Sequence, residues 1–316
     1  MEPICPLCGT VSVSRLFAKG DAVYYDCEKC AFRFAVQATN PNLENDLDDF
    51  EPSYLQYLRS DRGDERNLQA LRRWMSRFCS LDEVTSLDIG AGSGKLVRFL
   101  RRHGGNAAGI EPSRALFEHF LAGDPAFALG TLETCRLDPC AVDVVTAFDV
   151  IEHVAQPLEF LDRVAQLVKP GGLFFVSTPD VGSVPARVFG RRWHFYHAYH
   201  LSYFSPETLA AVARPYGFEL LDMRHRGRLR SVGYIVRYAF EVIGKRAAPG
   251  WVARCDDWYL PVNLFDTMYL CFRRTASRGE AQGASEGVPG MDRVSTSRGS
   301  RLVEGRHPVR HVVTAW

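Results

Sequence analysis

Between residues 84 and 180 the apolar positions fall into short runs whose period changes repeatedly. Residues 84–89, 106–110, 126–129, 142–148 and 173–177 are brief apolar stretches of strand length, and 142–148 is rich in valine. Residues 95–102, 115–121 and 157–168 lie between them and carry apolar side chains at helical spacing. Strands alternating with helices predict an α/β fold with a doubly wound parallel sheet. Right-handed crossovers then gather the strand C-termini on one edge, where ligands bind.

The pattern differs on either side. Over residues 53–79, Leu68, Leu71, Trp74, Met75 and Phe78 recur at helical spacing among arginines, predicting one or two helices. Residues 37–52, with Asn40-Pro41-Asn42, scattered acids and Pro52, read as a linker. Residues 181–204 are crowded with aromatics and histidines. A helix is expected over 206–214 with Ser205 as its N-cap, then strands over 218–223 and 265–272. Residues 224–262 follow neither period. The Gly-, Ser- and Arg-rich stretch 276–316 is expected to be a disordered tail.

Composition narrows the class. The 316 residues are 46% apolar, enough for a sizeable core, and the net charge of +1 offers no general attraction to a polyanion. No apolar run approaches the roughly 20 residues of a membrane span. The N-terminus has neither the basic nor the apolar region of a signal peptide, so a cytoplasmic protein is expected. Nine cysteines then point to thiols or metal ligation, not a disulfide frame.

Four of those cysteines have metal-site spacing. Cys5, Cys8, Cys27 and Cys30 form Cys-x₂-Cys-x₁₈-Cys-x₂-Cys, with Gly9 permitting the first turn. Four thiolates make a closed, structural tetrahedral Zn²⁺ site, and a unit of residues 1–36 would need the metal to fold. Free cysteines or a redox pair are the alternatives. The unit carries Arg15, Lys19, Lys29 and Arg33 against Glu2, Asp21, Asp26 and Glu28, a thin charge for gripping phosphates. Nucleic acid is therefore disfavoured against a small-molecule or glycan acceptor. Cys79, Cys135, Cys140, Cys255 and Cys271 show no ligand spacing.

The most informative segment is Asp88-Ile89-Gly90-Ala91-Gly92-Ser93-Gly94, between a strand and a helix. Its glycines let the backbone turn tightly and let a ligand approach. Dinucleotide sites also use glycine turns. Here Asp88 precedes the first glycine by two residues, which suits a cationic ammonium better than a pyrophosphate. Glu111 follows 23 residues later at the end of the next strand, where a carboxylate can take both ribose hydroxyls. The plain alternative is a tight turn with an incidental aspartate.

Taken with Phe148-Asp149-Val150-Ile151-Glu152-His153-Val154 and Leu167-Val168-Lys169-Pro170-Gly171-Gly172, this segment resembles class I S-adenosylmethionine (SAM)-dependent methyltransferases. His200-Leu201-Ser202-Tyr203-Phe204-Ser205-Pro206-Glu207-Thr208-Leu209 resembles the subgroup containing ubiquinone-biosynthesis O-methyltransferases. The resemblance covers about residues 53–275, with 181–262 as substrate-facing insertions. It implies a Rossmann-like, seven-stranded sheet with an antiparallel last strand, joined to the N-terminal four-cysteine zinc ribbon. It implies SAM binding by Asp88, Gly90, Gly92, Gly94, Glu111, Pro112, Thr131, Leu132 and Phe148. Similar proteins pair such ribbons with sugar-modifying or rRNA methyl transfer, so an RNA methyltransferase or a non-catalytic SAM-binding scaffold stay as rivals.

If the acceptor is a hydroxyl, its proton needs a base, and His153, His197 and His200 are the candidates, with Glu152 beside them. Asp149, Glu152, His153 and His200 also resemble the Glu-x-x-Glu-His set with which some methyltransferases hold a divalent ion, Asp149 standing for the first glutamate. The aromatic stretch 191–200 is expected to form a lid or substrate wall, or else to pack. Tyr54 and Tyr57 are expected either to close the far side of SAM or to lie in the core.

Overall fold

The computed structural model describes residues 3–37, 62–240, 244 and 246–275. Positions 38–52 of the predicted linker, Tyr54 and Tyr57, and the predicted tail 276–316 lie outside the described residues.

In chain order the strands are β1 (Val13–Lys19), β2 (Ala22–Cys27), β3 (Arg33–Gln37), β4 (Thr85–Ile89), β5 (Asn106–Glu111), β6 (Phe127–Leu129), β7 (Val142–Phe148), β8 (Val168–Pro179), β9 (Ser202–Tyr203), β10 (Phe218–His225), β11 (Arg228–Ser231), β12 (Tyr259–Val262) and β13 (Thr267–Arg274). The main sheet has the order β10-β13-β8-β7-β4-β5-β6. Pairing is parallel from β8 to β6, and β13 inserts antiparallel between β8 and β10. From β4 the chain first winds outward through β5 and β6, then returns to lay β7 and β8 on the other side. The cleft at that reversal is the expected ligand site of such a sheet.

Local chemistry explains the elements. The valine run of β7 is buried on both faces, as a central parallel strand requires. Helix α1 spans Arg62–Met75, and helix α2, Lys95–Arg102, buries Leu96, Val97, Phe99 and Leu100. Its arginines lie outside that apolar stripe. Helix α3 starts at Arg114–Leu116 under a Ser113 cap and widens into a π-turn over Phe117–Leu121. Helix α4, Pro157–Leu167, opens on a proline, whose missing N–H costs nothing there.

Three expectations change. The Lys169-Pro170-Gly171-Gly172 turn lies inside β8 as a bulge: Val142 pairs with Val168, but Val144 pairs with Leu173. Lys169 Nζ reaches Asp143 Oδ1 at 2.8 Å, and Asp143 Oδ2 accepts from Thr85 N at 2.9 Å, tying the bulge to β4 and β7. The last strand begins at Thr267; Phe265, expected within it, is 61% exposed with a left-handed φ of 57°. Residues 224–262 hold an antiparallel pair, β11 with β12, and a helix, Val232–Tyr238.

The ribbon sheet β1-β2-β3 gains a fourth strand, β9, from the aromatic stretch after β8. Trp193, Tyr196 and Tyr203 are almost fully buried against Ala22 and Tyr24 of the ribbon. Phe32 and Phe34 join Phe204 in the main core. Of the stretch expected as a lid or substrate wall, or else to pack, Trp193, Tyr196 and His200 are buried, while Arg191, Arg192, His194, Ala198 and Tyr199 are exposed.

Candidate active site at the C-terminal edge of the sheet

The glycine turn leaves β4 with Gly90, Gly92 and Gly94 at φ of 70°, 56° and 74°. A Cβ on Gly90 would lie 2.6 Å from Val150, and one on Gly94 would lie 2.7 Å from Leu121 and Phe127. A Cβ on Gly92 would meet nothing within 4 Å, so the middle of the turn faces open space. The Glu111 carboxylate clasps this turn, accepting from Gly92 N at 2.7 Å and Ser113 N at 2.8 Å. Asp88 is 7% exposed and accepts from Thr146 Oγ1 at 2.5 Å. Burial pushes both carboxyls up to about 7, and for Asp88 the charge of Glu111 adds to it. Neither has a cationic partner among the described residues. Two buried acids beside an open glycine turn are a fit for a ligand with an ammonium group and hydroxyls.

The other predicted cofactor residues sit unevenly. Pro112 follows Glu111 directly and is half-buried. Thr131 N donates to Thr134 Oγ1 at 2.8 Å in the turn after β6, and the Leu132 side chain is packed into the main core. Phe148 ends β7 with its ring 5.7 Å from that of Tyr269.

Just beyond β7, a tight turn over Ile151–His153 places Glu152 and His153 against His200. One ligand atom from each of the three lies within 4.8 Å of the others. His153 Nδ1 lies 2.7 Å from Tyr199 O, and His200 Nδ1 lies 3.0 Å from Phe195 O. A carbonyl only accepts, so each Nδ1 carries the proton and each Nε2 presents a lone pair. Burial lowers His153, and burial with the charges of His197 and His153 holds His200 well below the ordinary range. His197, its ring 3.9 Å from that of His200, is pushed down to about 3, mainly by burial. Glu152 is buried with Oε2 unpartnered, and burial plus the charge of Asp149 raise its carboxyl well above the usual range.

Asp149, expected as a fourth member of this cluster, is engaged elsewhere. Its Oδ1 accepts from Ser177 Oγ at 2.7 Å and its Oδ2 from Arg228 at 2.6 Å. Burial works against its charge, but Arg228 and Ser177 outweigh it and hold the carboxyl low. Arg228 also donates to Tyr269 Oη at 2.8 Å. Of these partners, Arg228 comes from the stretch that the sequence left unassigned. Its sign in the sequence is the alternation Arg224, Arg226, Arg228, Arg230.

In the ribbon, Cys5 Sγ is 3.6 Å from Cys30 Sγ, and Cys8 Sγ is 3.5 Å from Cys27 Sγ. Tetrahedral Zn–S bonds of ~2.3 Å imply sulfur separations of about 3.8 Å. The knuckles turn at Gly9 and Ala31, both at left-handed φ. The four thiols thus fit a Zn²⁺ ion. From the ribbon, Ala35 N donates to Leu201 O at 2.9 Å, and Leu201 N donates to Glu152 O at 2.7 Å. This is a short backbone path from β3 to the Glu152–His153–His200 cluster.

A family model described as a methyltransferase domain matches residues 59–222. The ubiquinone biosynthesis O-methyltransferase of Cupriavidus pinatubonensis is 31% identical over 166 residues, 48% of this chain and 66% of that protein. The enzyme of the same name from a Bradyrhizobium species is 33% identical over 139 residues, 42% of this chain and 52% of that protein. The chain spans about half to two thirds of the length of such relatives. A SAM-dependent methyltransferase structure from Mesorhizobium loti is 16% identical with a TM-score of 0.45, covering 69% of this chain and 100% of that one, a likeness that decides nothing about function. By the family match over half its length, the chain belongs to the class I SAM-dependent methyltransferase family.

Proposed function

We propose that this protein transfers a methyl group from SAM to a hydroxyl of a small-molecule or sugar-containing metabolite in the cytoplasm. The observation that carries the reading is the pair of buried acids, Asp88 and Glu111, on either side of the open Gly92 turn. Asp88 would hold the ammonium of the methionine end, and Glu111, already fixed by two backbone N–H groups, the ribose diol. Bound there, SAM would supply an electrophilic methyl on a sulfonium, with its sulfur as the leaving group for an acceptor oxygen. The chain's own task is alignment and removal of the acceptor proton. His153 or His200 would take that proton on Nε2, with Tyr199 O and Phe195 O fixing the tautomer. The names of the O-methyltransferase relatives support a hydroxyl acceptor.

Titration calorimetry with S-adenosylhomocysteine (SAH) tests the cofactor half. Wild type is expected to bind, and Asp88→Asn to weaken binding about tenfold or more, the scale of a lost charged hydrogen bond. No binding by wild type at millimolar SAH would end the reading. Labelled methyl transfer to a panel of hydroxyl compounds tests the other half.

A second reading has its own observation, the unpartnered Glu152 oxygen near two imidazole lone pairs. Glu152, His153 and His200 would hold Mg²⁺, Mn²⁺ or Zn²⁺, which would acidify the acceptor hydroxyl. Elemental analysis separates the readings. One metal per chain, unchanged in His200→Ala, leaves only the ribbon site; a second metal lost in that variant supports the cluster.

A further inference from the structure

Four arginines alternate along the chain where it leaves the ligand edge of the sheet: Arg224 at the end of β10, Arg226, then Arg228 and Arg230 in β11. Because β10 runs parallel to β8, its C-terminal end emerges on the same edge as the ends of β7 and β8. Two of these arginines have acids assigned: Arg224 pairs with Asp222 at 2.8 Å, and Arg228 with Asp149 at 2.6 Å. Arg226 has none among the described residues. It is half-buried, with its guanidinium carbon 5.7 Å from the Trp74 ring and 5.2 Å from the Tyr269 ring. The rings hold the guanidinium by cation–π attraction but do not neutralise it. Partly removing that charge from water is costly unless an anion completes the site.

Tyr269 lies on β13, and the order β13-β8-β7-β4 puts three strand spacings between it and Asp88. At ~4.8 Å per strand that is about 14 Å. It lies on the side of Asp149 and Arg228, whose guanidinium also donates to Tyr269 Oη.

We propose that Arg226, stacked on Trp74 and Tyr269 and flanked by Arg228, binds a phosphoryl group of the acceptor, so that the substrate is a phosphorylated or nucleotide-linked hydroxyl compound. A guanidinium presents a planar fork that matches two phosphate oxygens, and neighbouring arginines reinforce it. The proposal rests on methyl transfer at this edge, yet it makes a claim about charge that the methyl-transfer reading does not.

The test is calorimetric titration of the SAH-loaded full-length protein with inorganic pyrophosphate, with UDP-glucose as a nucleotide-linked probe, and with glucose as the neutral counterpart. Binding of pyrophosphate or UDP-glucose but not glucose is expected. Arg226→Gln should weaken it about tenfold or more, and Arg226→Lys, which keeps the charge but loses the fork, by less. The exposed Arg187→Gln should change nothing. SAH affinity should stay within about twofold in every variant, which rules out misfolding and a cofactor-carboxylate role. UDP-glucose favoured over pyrophosphate places the charge on a larger acceptor; pyrophosphate alone places it on a compact phosphate ester. If the SAH-loaded wild type ignores both phosphates at millimolar concentration, or Arg226→Gln binds them as wild type does, the phosphoryl site is overturned while methyl transfer stands. If SAH itself fails to bind, the methyl-transfer reading fails instead, and the phosphate titrations, run without SAH, still decide on Arg226.

Discussion

Asp88 and Glu111 set the behaviour of the cofactor turn with pH. Burial holds both near 7, so they are largely protonated at pH 6 and largely ionised at pH 8. An ammonium ligand prefers the ionised form. SAH affinity is therefore expected to rise about tenfold from pH 6 to pH 8, and calorimetry should show a flatter profile in Asp88→Asn. The same raised carboxyls act on stability in the opposite direction. In the ligand-free chain they cost stability as pH climbs from the ordinary carboxylate range through about 7. Thermal melts should thus show a larger SAH-induced gain at pH 8 than at pH 6. At the other cluster, His153→Ala or His200→Ala should lower turnover about a hundredfold or more if that imidazole is the base, with SAH affinity unchanged. Asp88 and the histidines were legible in the sequence because a motif places them beside a strand end. Arg228 was not, because it reaches Asp149 from 79 residues downstream, and an alternation of arginines does not say what lies opposite it.

At the scale of elements, the glycine turn and the β3–β9 pair matter most. Gly94 caps α2 at a φ of 74°, and a Cβ there would press on Leu121 and Phe127. Gly94→Ala should therefore cost about 2–4 kcal/mol in denaturant melts, from backbone strain plus overpacking. The pair β3–β9 joins the cysteine knuckles to Leu201 and from there to Glu152. Chelating the ribbon metal, or Cys8→Ser, should thus abolish methyl transfer while leaving SAH affinity within about twofold. Transfer that persists after chelation would detach the ribbon from the active site. The short strands and helices of the sheet were readable because buried parallel strands write continuous apolar runs. The β9 pairing was not, since two residues carry no period and a ladder depends on what lies opposite.

For the whole molecule, the ribbon and the sheet share apolar contacts: Phe32 and Phe34 lie in the main core, and Trp193 is sealed between the ribbon and Asp266, to which its Nε1 donates at 3.0 Å. Shared burial couples unfolding, so calorimetry should give one transition that moves down on metal removal, without a separate early ribbon transition. No helix among the described residues is long and apolar enough to cross a membrane. By itself, the sequence determined the alternating α/β fold, the acid-flanked glycine turn and the four-cysteine unit, because periodicity and spacing along a chain are local properties. Only the tertiary structure decided that Trp193 and Tyr196 pack against the ribbon, that Asp149 faces Arg228 and that β3 bonds to Leu201, next to His200. Those outcomes depend on which side chains meet across long separations, and burial and pairing are settled only when the chain has closed on itself.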